Sequence, residues 1–262
     1  MQDRSPEITC ERREGVALIT LNRPEARNPL SLTLADSLLA LLDELEADDR
    51  VSVVVLTGAG SVFCSGAQLG EVVSLEGIDS EVQFRNIRGF SKIVQRIRDL
   101  DLPVIAALNG PAVGGGAALA LACDMALGTD KATYFFAFGR VGAGANDMGC
   151  AYLLPKLVGA ARARHWLFTG ATVSADEAHK AGLLLDVVPS NQLVDRALEI
   201  AQSVMVASPR RAAAVTKLAI NRAEDTDLQT CLSYEVYLQT FLFTRDEHKD
   251  RLKKLLTRLG SG

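Results

Sequence analysis

Residues 102–118, LPVIAALNGPAVGGGAA, constrain the fold more than any other stretch, because an apolar strand runs straight into a glycine-rich turn and a helix start. Glycines in succession permit backbone conformations and close approaches that a Cβ would block, and amides at a helix N-terminus attract negative charge. Residues 57–69, TGAGSVFCSGAQL, repeat the arrangement after the β-like run 51–57, VSVVVLT. Amides from two such loops converging on one oxygen would stabilise an enolate or a tetrahedral oxyanion, an effect worth about 3 kcal/mol for a single donor. The alternative is a pair of tightly packed turns, and spacing alone leaves both open. No Lys-Ser/Thr pair follows the glycines, so this is no Walker loop, and the GxGxxG spacing of a dinucleotide fold is absent.

The rest of the chain reads as α/β. Short apolar runs at 16–21 (VALITL), 51–57 and 104–108 (VIAAL) have the character of buried strands. Between the first two, Leu34, Leu38, Leu41, Leu42 and Leu45 recur at helical spacing, predicting a helix over about 33–47 with Thr33 and Asp36 as its capping box. Further helices are expected over about 84–100 and after the glycines at 114–116. Ser174 with Glu177 reads as a capping box closed by Gly182, and Ser208 with Pro209 as an N-cap and first helical residue. No strand is evident beyond about 205. This organisation predicts a core over residues 1–204 and a helical C-terminal region over 205–262.

At 262 residues, 48% hydrophobic and 23% charged, the chain has ample material for one large core. A net charge of −4 and a pI near 5.5 offer no basic footprint, so neither nucleic acid nor an anionic membrane is an expected partner. Five scattered cysteines without metal-ligand spacing fit a reducing compartment better than a disulfide framework, and no metal site is expected. The charged start lacks a signal-peptide run and the terminal GSG is no peroxisomal address, so the expected location is cytoplasmic.

Four segments in this order, LNRPEARNPLS at 21–31, VVVLTGAGSVFCSGAQL at 53–69, PVIAALNGPAVGGGAALALACD at 103–124 and LLPKLVG at 153–159, resemble the crotonase, or enoyl-CoA hydratase/isomerase, superfamily. TGATVSADEAHKAGLLLDVV at 169–188 extends the likeness. The resemblance implies a spiral of ββα units followed by helices that take part in trimer formation, with many members assembling as hexamers. It implies an acyl-CoA substrate, no cofactor beyond the CoA moiety itself, and an oxyanion hole formed by the main-chain N–H groups of Ala67 and Gly115. Ser65, Gly66, Ala67, Gln68 and Leu69 then correspond to the segment along the acyl-CoA chain, and Ala26 and Arg27 to the region associated with CoA. Arg27 reads equally well as a solvent-exposed loop arginine.

Catalytically the chain departs from the hydratase pattern. Hydratases of this family carry a glutamate just after the glycines and another about 20 residues on, where Ala118 and Phe138 stand here. Neither side chain transfers a proton. Residues 138–155, FGRVGAGANDMGCAYLLP, instead resemble the signature of isomerase-like members, with Asp147 at the acidic position, one extra loop residue, and Asn146 where proline is usual. Asp147 therefore reads either as the base that moves a proton from the α- to the γ-carbon of a 3-enoyl-CoA, or as a cap for a helix beginning near Gly149. Isomerisation is the leading expectation; other CoA-thioester reactions, such as decarboxylation, thioester hydrolysis or ring chemistry, and noncatalytic acyl-CoA binding are the alternatives. His165, His179 and His248 are expected in surface or packing roles, Cys64 as a small buried residue, and Tyr152 in the core.

Overall fold

The structure, a computed structural model, describes residues 6–68, 70–71, 79–145 and 147–260. In chain order its elements are β1 (Ile8–Arg13), β2 (Val16–Leu21), α1 (Leu32–Ala47), β3 (Val53–Gly58), α2 (Ser80–Asp99), β4 (Val104–Leu108), β5 (Pro111–Val113), α3 (Gly115–Ala122), β6 (Met125–Thr129) and β7 (Thr133–Phe135). There follow α4 (Cys150–Val158), α5 (Ala160–Thr169), β8 (Thr172–Ser174), α6 (Ala175–Lys180), β9 (Val187–Val188), α7 (Leu193–Ala207), α8 (Arg210–Ala223), α9 (Leu228–Phe243) and α10 (Asp246–Gly260). The main sheet has six strands in the order β1-β2-β3-β4-β6-β9, parallel except for the antiparallel edge strand β1. A smaller sheet pairs β5, β7 and β8. The strand pairs β4–β5 and β6–β7, each leading into a helix, give the ββα order of a mixed α/β spiral.

Continuous apolar runs make these strands because both faces of the main sheet are covered. Successive side chains alternate between faces. Ala17, Ile19, Leu21, Val54, Leu56, Ala106 and Leu108 join the large core with α1, α2 and α3, while Val16, Leu18, Val53, Val55, Ile105, Ala107 and Leu127 pack against Leu193, Ala197 and Ala201 of α7. Helix α3 is buried at every residue, which explains its lack of an amphipathic pattern. Among the described residues no helix is long and apolar enough to cross a membrane.

Two helix starts differ from the sequence expectation. The cap of α1 is Ser31, whose Oγ accepts the Leu34 N–H at 2.9 Å, and not Thr33; Ser31 has the extended backbone that lets a side chain fold back onto the third amide, whereas Thr33 already lies within the helix. Ser208 ends α7, its N–H bonded to Val204 O, and Pro209 is the uncapped N-terminal flank of α8. Ser174 caps α6 as expected, accepting the Glu177 N–H at 3.2 Å.

Helix α8 fastens the C-terminal region by supplying donors to carbonyls in the last turns of α1 and α2 and in the segments just after them. Arg210 donates to Glu46 O (2.5 Å) and Val51 O (2.7 Å), and Asn221 to Arg98 O (2.8 Å). The buried Lys217 donates to Ile97 O (2.6 Å) and Leu102 O (3.0 Å), and pairs with Asp124 at 2.8 Å. Burial pushes the Asp124 carboxyl above the usual carboxylate range, with Lys217 opposing the shift. Lys217→Met should therefore destabilise the fold by about 3–5 kcal/mol at neutral pH, because it strands a buried carboxylate. The loss should shrink in acid, since protonating Asp124 removes the stranded charge, and denaturant unfolding at pH 7 and pH 4.5 measures both. Equal stability of the two proteins at pH 7 would contradict this account.

Candidate active site

The second glycine loop is held between two neighbours, and the pattern of its bonds decides which amide remains over. Cys64 forms a parallel bridge with Ala112, accepting from the Val113 N–H at 2.9 Å. Ala67 forms another with Leu30, in which Leu30 N–H donates to Gly66 O (2.8 Å) and Leu30 O accepts from Gln68 N–H (2.8 Å). In a parallel bridge of this kind the central residue's own N–H points away from its partner. Ser65 N–H goes to Arg27 O at 3.1 Å. Of residues 65–68, Ser65 and Gln68 have backbone acceptors for their N–H, and Gly66 and Ala67 have none among the described residues.

Gly115 is the first residue of α3, so its N–H is one of the helix's unpaired N-terminal donors. The two loops meet at separations only glycine tolerates. A Cβ on Gly66, where φ is +85°, would stand 2.6 Å from Val113 O and 3.4 Å from Gly115 N; one on Gly116 would stand 2.3 Å from Cys64 O. A Cβ on Gly115 would lie 3.8 Å from Ala67 N. Two unspent donors, Ala67 N–H and Gly115 N–H, are thus brought together, with a helix N-terminus behind one of them. Such an arrangement stabilises an oxygen that gains negative charge.

The walls are apolar. The same Gly115 position lies 3.0 Å from Met148 Sδ and 3.1 Å from Leu30 Cδ1, and that of Gly114 3.9 Å from the Phe138 ring. Ala118, one turn into α3, is fully buried and Phe138 nearly so, so the two positions that carry glutamate in hydratases contribute hydrocarbon here. Asp147 precedes Met148 in the loop before α4 and is partly buried. Burial pushes its carboxyl above the usual carboxylate range, against a hydrogen bond from Met148 N–H that lowers it. Its side chain does not cap α4: Gly149 is the N-cap position without a side-chain bond, and the Cys150 N–H is taken by the Asp147 backbone carbonyl at 3.0 Å. Met148 holds φ +45°, a costly conformation for a long side chain.

Other residues lie around this centre or away from it. Ala26 closes the short turn Pro24–Ala26, and Arg27 follows in a left-handed conformation with its side chain exposed. Gln68 accepts from Arg23 (2.8 Å) and donates to Glu71 (2.9 Å). Leu69 and Asn146 lie outside the described residues. Cys64 is buried with its thiol pushed up to about 12, as befits a packing residue. His165 is exposed, His179 bonds Leu184 O at 2.9 Å, and His248 stacks on Phe243; among the described residues no cluster of metal-ligating side chains occurs. Tyr152 is not in the core: it is 43% exposed and hydrogen bonds with Lys156 and Asp225, because its hydroxyl finds partners only toward α8. Sequence reasoning missed Leu30 and Met148, which nothing in periodicity marks, and Asn28, whose signal was a left-handed-tolerant residue in a turn.

Comparison with known proteins shows the family and the fold. The sequence model of the enoyl-CoA hydratase/isomerase family matches residues 11–258. The chain is 36% identical to 4-chlorobenzoyl coenzyme A dehalogenase-2 of an Arthrobacter species over 87% of this chain and 83% of that one. It is 35% identical to the 1,2-epoxyphenylacetyl-CoA isomerase of Escherichia coli, over 85% and 84%. The crystal structure of an enoyl-CoA hydratase from Bacillus anthracis superposes with a TM-score of 0.91 at 31% identity, covering 97% of each chain. The relatives differ in reaction but share CoA thioesters in their names, and the chain belongs to the enoyl-CoA hydratase/isomerase, or crotonase, superfamily.

Proposed function

We propose that this acyl-CoA enzyme converts a 3-enoyl-CoA into its 2-enoyl isomer, with Asp147 as the proton carrier. Asp147 takes a proton from the α-carbon, leaving a dienolate whose charge rests largely on the thioester oxygen. Ala67 and Gly115 N–H groups stabilise that oxygen, and the protonated Asp147 returns the proton to the γ-carbon. The observation that carries this reading is the pairing of two unspent amides with a desolvated carboxyl whose neighbour, Met148, packs on Gly115. Desolvation makes the carboxylate a stronger base, and hydrocarbon at Ala118 and Phe138 provides no group to activate water at those two positions. Proton transfer alone suffices, so no cofactor beyond the CoA moiety is required. Ser65, Gly66, Gln68 and Leu69 would line the acyl-CoA chain, with Ala26 and Arg27 beside the CoA moiety.

A second reading draws on the two relatives whose names place a six-membered carbon ring on CoA, aromatic in the chlorobenzoyl group and epoxidised in the other. The same hole with a flat apolar wall at Phe138 also suits ring chemistry on an aryl-CoA. Product analysis with 3-enoyl-CoA and aryl-CoA substrates separates the two.

The C-terminal helices also fit the family's assembly. Leu232, Val236 and Tyr237 on α9, and Leu252, Leu255, Leu256 and Leu259 on α10, are exposed apolar residues. Such surface on consecutive helices favours self-association, and we assign a homotrimer or homohexamer. Light scattering should give three or six times the 28.1 kDa chain mass, and a monomer at micromolar concentration would refute the assignment.

Asp147→Asn should keep the fold and the binding of a nonreactive acyl-CoA while lowering isomerisation by roughly 10²–10⁴-fold. Exchange of the substrate's α-proton in deuterated water should fall with it; unchanged exchange would remove Asp147 as the base. Because the base acts when ionised and burial raises its pKa, kcat/KM should decline as pH falls, with the midpoint above the 3.8 of an ordinary aspartate. A pH profile flat down to 4 would speak against a desolvated carboxylate base.

A further inference from the structure

We infer that Asn28 is a positioning residue for the Ala67 oxyanion donor, an inference that rests on Ala67 N–H acting in that role. Asn28 is fully buried and held at φ +52°, next to Arg27 at +65°. Its Nδ2 donates to Ala59 O (2.9 Å), Val62 O (2.7 Å) and Phe63 O (3.3 Å), while its Oδ1 accepts from Arg23 N–H (2.9 Å). One amide side chain therefore gathers the carbonyls of the glycine loop and closes its own turn at the same time. Gly58 makes room for it, since a Cβ there would lie 2.9 Å from Asn28 Nδ2 and within 2.6 Å of the Val62 and Phe63 carbonyls.

The consequence lies a few residues further along both segments. Starting from Asn28, the chain uses Arg27 O to hold Ser65 N–H, and Leu30 N–H and O to hold Gly66 O and Gln68 N–H. These three bonds bracket Ala67 on both sides and leave its N–H aimed away from Leu30. Asn28 acts at a distance from Ala67: it fixes where the 27–30 segment lies relative to the 59–63 turn, and hence how both sit against the segment carrying Ala67. Displacing a catalytic group by about 1 Å can cost on the order of 10²-fold in rate, so a small slip of this frame is enough to matter.

The test uses Asn28→Gly, which tolerates the left-handed backbone and removes only the clamp, with Asn28→Ser as a second variant that keeps one short donor. The probe is crotonyl-CoA labelled with ¹³C at its thioester carbonyl, read by isotope-edited infrared spectroscopy on the bound complex. In the wild-type protein, polarisation by the hole should move the carbonyl stretch to lower frequency. Asn28→Gly should lose most of that shift and about 10- to 10²-fold of kcat, with KM changed far less, and Asn28→Ser should fall between. A wild-type complex without a shift would overturn the hole itself and the inference with it. A variant that binds crotonyl-CoA and retains the full shift would overturn the positioning role alone. Failure of both variants to fold would assign Asn28 to folding and equally overturn it.

Discussion

Two main chains lying closer than any side chain permits are the constraint on which this structure depends. Gly66 against Val113 and Gly116 against Cys64 leave less than 3 Å for a would-be Cβ, so the segment after β3 is in backbone contact with β5 and the start of α3. That contact brings the Ala67 amide beside the Gly115 amide. The core then has to present those two segments at the right height, which the parallel register of β3 with β4 accomplishes by ending both strands at the same edge. Backbone donors need no particular side chain at positions 67 and 115, so the chemistry is free to vary in the residues that surround them.

Those surrounding residues give the site its character. Leu30, Phe138, Met148 and Ala118 replace polar surface with hydrocarbon, and a water-poor wall strengthens the pull of an amide on a nascent oxyanion. Burial raises the proton affinity of Asp147 as well, so in the proposed isomerisation desolvation would serve both the anion site and the base. On the far side of the core, α8 compensates the C-terminal carbonyls of α1 and α2, with Lys217 and Asp124 as a buried pair. The glycine-loop end and the fastening end lie at opposite ends of α3, which runs from Gly115 to the residues just before Asp124.

Much of this was legible from residues. Strands flanked by glycine loops specified the α/β core, and the resemblance of several motifs in the family's order over most of residues 15–190 pointed to the family. Ala118 and Phe138 showed by their side chains alone that those two positions carry no proton-transfer group. What sequence could not supply was convergence: the approach of Ala67 and Gly115 arises from Leu30 and Ala112 bridging to a loop far away in the chain. Local pattern also misplaced the caps of α1 and α8, since Ser31 and Thr33 are equally good capping residue types and only the backbone distinguishes them. Asn28 was hidden for a related reason, as its partners are carbonyls more than thirty residues downstream.

The central claim is geometric and chemical at once: two amides hold the thioester oxygen while Asp147 faces the carbons that exchange a proton. A crystal structure with a nonreactive 3-enoyl-CoA analogue tests it most directly. The thioester oxygen should lie about 2.7–3.1 Å from both Ala67 N and Gly115 N, with an Asp147 carboxylate oxygen in contact with the α- and γ-carbons. A thioester oxygen bound away from both amides, or a carboxylate separated from those carbons by more than one water, would contradict the account.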